Sequence, residues 1–87
     1  MSMPIRVTIL SRKDCHLCDV IYQIATHLQS ELHIEINIVD VDSDSSLTER
    51  YGTRVPVVLL DKIEHFAGSV TEEELRRAIK KRGGENR

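Results

Sequence analysis

Apolar residues change their spacing once near the start of the chain, and that change restricts its fold more than any other feature. Ile5, Val7 and Ile9 alternate with Arg6 and Thr8 up to Leu10, the period of a strand rich in β-branched residues. Leu17, Val20, Ile21, Ile24, Ala25, Leu28 and Leu32 then recur at spacings of three and four. That stripe predicts an amphipathic helix of about 15 residues docked on a sheet. Ile34, Ile36 and Ile38 return to alternation with Glu35 and Asn37 between them, which predicts a strand with one wet face at a sheet edge. Strand, helix and strand in this order make a right-handed crossover.

The seam between the first strand and the first helix holds the chain's two cysteines, in Cys15-His16-Leu17-Cys18. Two thiols separated by two residues at a helix start can close a small disulfide ring. The first of them also meets unsatisfied backbone N–H groups and the positive end of the helix dipole, which favour its thiolate. Cys15 is thus the expected nucleophile, and Cys18, one turn deeper, the expected resolving thiol. Arg12, Lys13 and a protonated His16 would favour the anion, and Asp14 would oppose it. His16 could tune the redox poise of the pair; the alternative is an exposed histidine at a helix start with no role.

Farther along, Asp40 to Ser46 reads as an acidic, solvated loop, and Ser46-Leu47-Thr48-Glu49 has the capping-box pattern of a short helix ended by Gly52. Val57 to Leu60 lacks polar alternation, as expected of a central strand covered on both faces. Asp61-Lys62 can turn into a hairpin with Ile63 to Phe66, the absence of glycine leaving the turn type open. Thr71 and Glu74 form a second capping box, with Val70 and Leu75 at the hydrophobic-staple positions. Glu72 to Glu74 at the start and Lys80 to Arg82 at the end suit the dipole of this last helix.

At 87 residues, residues 1–87 are expected to form one domain, with 83–87 as a frayed tail. Twelve basic side chains nearly balance 14 acidic ones, so nothing points to nucleic acid. The longest apolar stretch, Val55 to Leu60, is far too short to span a bilayer. The N-terminus lacks the zones of a signal peptide, and a cytoplasmic location is expected. In that reducing setting a lone cysteine pair suits catalysis or metal binding better than a permanent staple.

The order β-α-β-α-β-β-α with a CxxC after the first strand resembles the thioredoxin fold, and within it the small glutaredoxin-like group. Tyr51 to Leu60, with Val55-Pro56 opening the third strand, resembles that group's second signature. The resemblance implies an α/β fold with a four-stranded mixed sheet and helices on both faces. It implies a thiol–disulfide oxidoreductase acting in cell redox homeostasis on protein or small-molecule disulfides. It also implies a cis proline at Pro56, facing the cysteines, with the backbone of Val55 pairing to substrate.

Glutaredoxins carry a basic residue three positions before the first cysteine, and Arg12 keeps it. This chain departs elsewhere: Leu17 replaces an aromatic residue, Arg54 stands where threonine is usual, and Ala67-Gly68 with Val70-Thr71 replaces a glycine pair and aspartate. Arg54 could take a carboxylate. No resident cofactor and no metal are expected; the reductant is either glutathione or a thioredoxin-type reductase, and the chain is expected to be a monomer. Two other readings compete. A zinc site needs four ligands, and His27 lies too far along the first helix from Cys18 to complete one readily. A redox-inert interaction domain could keep the same fold.

Overall fold

The computed structural model describes residues 3–83. Strand β1 (Ile5–Ser11) leads into helix α1 (His16–Gln29), strand β2 (Ile34–Asp40), a 3-10 turn (Val41–Ser43) and helix α2 (Ser45–Tyr51). Strands β3 (Val57–Leu60) and β4 (Ile63–Ala67) form a hairpin before helix α3 (Glu72–Lys81). The sheet order is β2-β1-β3-β4; β1 pairs parallel with β2 and antiparallel with β3, which pairs antiparallel with β4. This is the expected four-stranded mixed sheet.

Strand alternation sends β1 and β3 side chains into two separate cores. Ile5, Val7, Ile9, Val58 and Leu60 pack with Ile21, Ala25 and Leu28 of α1 and Leu75 and Ile79 of α3. Leu10 and Val57 face the other way, onto Val41, Leu47 and Tyr51. Helices therefore cover both faces; β3 has no exposed residue, which accounts for its unbroken apolar run, while β1 exposes only Arg6. The edge strand β2 behaves differently from its pattern: Ile34 is buried, Ile36 only packs at the margin, and Ile38 is 48% exposed. Its apolar face leaves the core before the strand ends.

Local chemistry accounts for the helix ends. Thr71 Oγ1 accepts from the Glu74 N–H (3.1 Å), and a Glu74 carboxylate oxygen accepts from the Thr71 N–H (2.9 Å), closing the expected box. Both staple residues, Val70 and Leu75, are buried in the larger core. The box expected at Ser46 and Glu49 does not form. Asp44 caps α2 instead, its carboxylate accepting from the Ser46 N–H at 2.8 Å and its Oδ1 from the Ser46 hydroxyl at 2.7 Å. An ionised carboxylate outcompetes a hydroxyl for the same orphan donors. The preceding acidic segment is partly ordered as the 3-10 turn, capped by Asp40 through the Asp42 N–H.

The hairpin closes through Asp61 and Lys62, both in the left-handed region (φ 49° and 75°) between paired Leu60 and Ile63. Two central residues with positive φ define a type I′ turn, here built without glycine. Asp61 is held hard: its carboxylate accepts from the Arg6 N–H and from Arg82 Nε, each at 3.0 Å, and its own N–H donates to the Arg6 carbonyl. The Arg6 N–H is the main reason its carboxyl is held below the usual range. In β4, Phe66 and Glu64 pair with successive residues of β3, which leaves His65 as the extra residue of a bulge. The expected frayed tail lies outside the described residues beyond Gly83. Among the described residues, no helix is long and apolar enough to cross a membrane.

Candidate active site

Strand pairing sets the site at one end of the sheet. Leu10 lies opposite Val57, and Ser11 opposite Asp40. The segments that follow β1 and β2 and the one that precedes β3 must therefore meet at the same end. Cys15 and Cys18, the turn at Val41–Ser43, and Val55-Pro56 belong to those segments.

Cys15 is the N-cap of α1, in an extended conformation after Asp14, whose φ is 61°. Its Sγ accepts a hydrogen bond from the Cys18 N–H at 3.2 Å. A cysteine in the N-cap position thus does with sulfur what serine or aspartate does with oxygen, and the donor it engages is one of the helix's orphan amides. Cys15 and Cys18 are joined as a disulfide, with Cα atoms 5.2 Å apart. Cys15 is half-buried, whereas Cys18 is 5% exposed in the core-facing side of α1. His16 and Leu17 between them are exposed, and so is Tyr22 one turn on.

The Val55–Pro56 bond is cis, as the resemblance implied. Pro56 is buried and its carbonyl accepts from the Gly68 N–H at 2.8 Å. Among the described residues, no hydrogen bond within the chain engages the backbone of Val55. Val55 itself is half-buried against the smaller core.

The two arginines singled out from the sequence are both engaged. Arg12 donates from Nε and Nη2 to the two Asp42 oxygens (3.1 and 3.0 Å) and from Nη1 to the Gly52 carbonyl (3.0 Å). The pairing holds the Asp42 carboxyl below and the Arg12 guanidinium above their usual ranges. Among the described residues, none of the Arg12 hydrogen bonds reaches Cys15. Arg54 pairs with Glu64 of β4 and lies 5.8 Å from the centre of the Tyr51 ring, which Arg50 also approaches. Lys13 is exposed and pairs with no carboxylate among the described residues. The His16 imidazole likewise makes no hydrogen bond there.

Asp42, Gly52 and Glu64 were not expected in the site. The only signal for Asp42 is the strand register, which sets Ser11 beside Asp40 and becomes readable once β1 and β2 are known to be parallel. Among the described residues, the side chains close enough to share a metal ion are His27, Glu31 and Glu72; neither cysteine is among them. Arg76 already donates to both of those glutamates.

Comparison with known proteins agrees with this geometry. Residues 6–80 match the model of a family described as Glutaredoxin-like domain (DUF836). Uncharacterized proteins of Mycobacterium bovis and Mycobacterium tuberculosis are each 38% identical over 84 residues, covering 91% of this chain and 86% of theirs. A structural-genomics target from X. campestris superposes with a TM-score of 0.74 at 27% identity, covering 86% of this chain and 96% of that one. A mutant thioredoxin from Halobacterium salinarum shares the fold, with a TM-score of 0.71 at 21% identity over 91% of this chain and 74% of that one. A half-buried sulfur capping a helix, its buried partner one turn on, a cis proline at the same sheet end and a family match across most of its length agree: this chain belongs to the glutaredoxin-like family of the thioredoxin fold.

Proposed function

We propose that the chain is a thiol–disulfide oxidoreductase that cycles Cys15 and Cys18 between dithiol and disulfide. In the reduced state the Cys15 thiolate attacks one sulfur of a substrate disulfide, forms a mixed disulfide and expels the other sulfur, which takes up a proton. The Cys18 thiol then gives up its proton and attacks the Cys15 sulfur. The Cys15–Cys18 disulfide forms, the second substrate thiol leaves, and two electrons have passed to the substrate. A reductant must restore the dithiol.

The observation that carries this reading is the asymmetry of the pair. The half-buried sulfur receives the helix-end N–H that would stabilise its anion, and the 5%-exposed sulfur lies where solvent and substrate reach it last. The unengaged backbone of Val55 supports substrate binding as an added strand. Exposed Leu17 and Tyr22 offer apolar contacts to a protein partner beside the sulfurs.

For the reductant, a protein dithiol of the thioredoxin-reductase type fits better than glutathione. Glutathione carries two carboxylates, and Arg12 and Arg54, the cations that could receive them, are already neutralised by Asp42 and Glu64. Lys13 and Arg50 are exposed cations nearby that pair with no carboxylate among the described residues, Arg50 lying over the Tyr51 ring. The cycle suits a reducing compartment such as the cytoplasm.

The test uses Cys18→Ser, which removes the resolving thiol. Wild-type protein should reduce insulin disulfides with a dithiol reductant, and the variant should accumulate a mixed disulfide on Cys15, seen as an adduct by intact mass. Wild-type protein that leaves insulin oxidised, together with a variant that captures nothing, would refute the reading.

A further inference from the structure

Three segments converge where the sulfurs lie: the loop that carries Cys15, the turn after β2, and the approach to Pro56. One side chain reaches all three. Arg12 belongs to the cysteine loop, two of its nitrogens fork onto the Asp42 carboxylate in the turn, and its third donates to the Gly52 carbonyl at the end of α2. Asp42 is itself steadied, since its N–H donates to Asp40 and its Oδ1 lies 3.3 Å from the Thr48 hydroxyl. From Gly52 the backbone is tied onward, with the Gly52 and Arg54 amides donating to the Thr48 and Tyr51 carbonyls at 2.8 Å. Three residues past Gly52 comes Val55.

We propose that Arg12 is a positioning residue, which holds the Val55-Pro56 segment at its working distance from the cysteine loop by forking between Asp42 and Gly52. It does not act on the Cys15 sulfur. Its guanidinium is one half of a bidentate ion pair, so little net charge is left to stabilise an anion in the partly solvated loop. The planar fork is essential, because a guanidinium can satisfy a carboxylate and a carbonyl together, while an ammonium is a point charge. The inference rests on the oxidoreductase reading, since the distance it fixes is the one between nucleophile and bound substrate backbone.

Arg12→Lys, Arg12→Ala and Asp42→Asn in the full chain test it. If Arg12 positions the substrate segment, all three variants raise KM for insulin and lower kcat/KM by about tenfold, as expected for a misplaced binding segment. The pH profile of Cys15 alkylation by iodoacetamide stays where it is in wild type, and the Gly52 and Arg54 amides exchange faster with deuterium. An electrostatic role on sulfur makes opposite demands. Arg12→Lys would then match wild type, and Asp42→Asn, by unmasking the guanidinium, would move the alkylation profile to lower pH; either result overturns the proposal. Wild-type protein inactive on insulin would sink the oxidoreductase reading alone, and the deuterium exchange would still decide on the clamp: unchanged amides in all three variants refute it.

Discussion

Replacing Gly52 with alanine sets two physical effects against each other, and the sign of the result tells which one selected glycine there. Gly52 has φ −53° and ψ −35°, an ordinary right-handed conformation that any residue can take. If backbone freedom were the only matter, alanine would stabilise the protein by about 0.4–1 kcal/mol through the unfolded state. Space gives the contrary answer. A Cβ built on Gly52 would sit 2.5 Å from the Thr48 carbonyl oxygen and 3.3 Å from Arg12 Nη1. Ordinary contact begins at 3.4 Å, so the backbone or the carbonyl must retreat by 3.4 − 2.5 = 0.9 Å. That carbonyl accepts the Gly52 N–H at 2.8 Å, so the retreat disturbs the bond that ends α2. Overpacking of this kind costs about 1–3 kcal/mol. After the entropic gain the net loss is roughly 0–2.6 kcal/mol, about 1.3 kcal/mol at mid-range, which corresponds to a fall in Tm of roughly 5–10 °C for a domain of this size. Thermal unfolding followed by circular dichroism measures it. A higher Tm, the outcome that backbone freedom alone predicts, would refute the close-approach explanation.

Two further outcomes follow from the capping and ionic contacts. Thr71→Ala removes the acceptor for the Glu74 N–H and should cost about 1 kcal/mol, a drop of roughly 4–8 °C in Tm that Thr71→Ser largely restores. The carboxyls of Glu31, Asp42, Asp44, Asp61, Glu72 and Glu74 are all held below their usual range, chiefly by hydrogen bonds to Arg76, Arg12, Ser46, the Arg6 N–H, His27 and the Thr71 N–H respectively. A depressed folded-state value means that their contribution is present above the ordinary carboxylate range and is lost as the pH falls through the lowered values. Urea midpoints should therefore be steady between about pH 5 and 7 and decline below about pH 4; a midpoint that rises on acidification would contradict these contacts.

Where a residue's partner is a neighbour in sequence, its role was readable. Thr71 and Glu74 find each other three positions apart, as do Cys15 and the Cys18 amide, and the alternation of β1 fixes which side chains meet α1 whatever the rest of the chain does. The hairpin was located, but not its turn type, because aspartate and lysine accept left-handed backbone only when the flanking strands demand it. Asp44 displaced Ser46 as a cap because two suitable oxygens compete within one turn and spacing alone does not rank them. Ile38 has a core pattern and a surface position, since alternation reports the face of a strand and not how far the opposing layer extends. For Arg12 and Arg54 the charge was visible but the carboxylate was not, the partners lying 30 and 10 residues away. The cysteines were legible as a pair; the framework that aims them was not.

Asp61 fastens the far tip of the molecule. Its side chain grips the opening of the first strand and the end of the last helix, five residues of strand and roughly 17 Å away from where that strand hands over to the sulfur loop. Head and tail of the fold are thus buckled together at the pole where no chemistry is proposed. None of the contacts in that buckle involves either sulfur, so the two ends of the fold are held together independently of the Cys15–Cys18 bond.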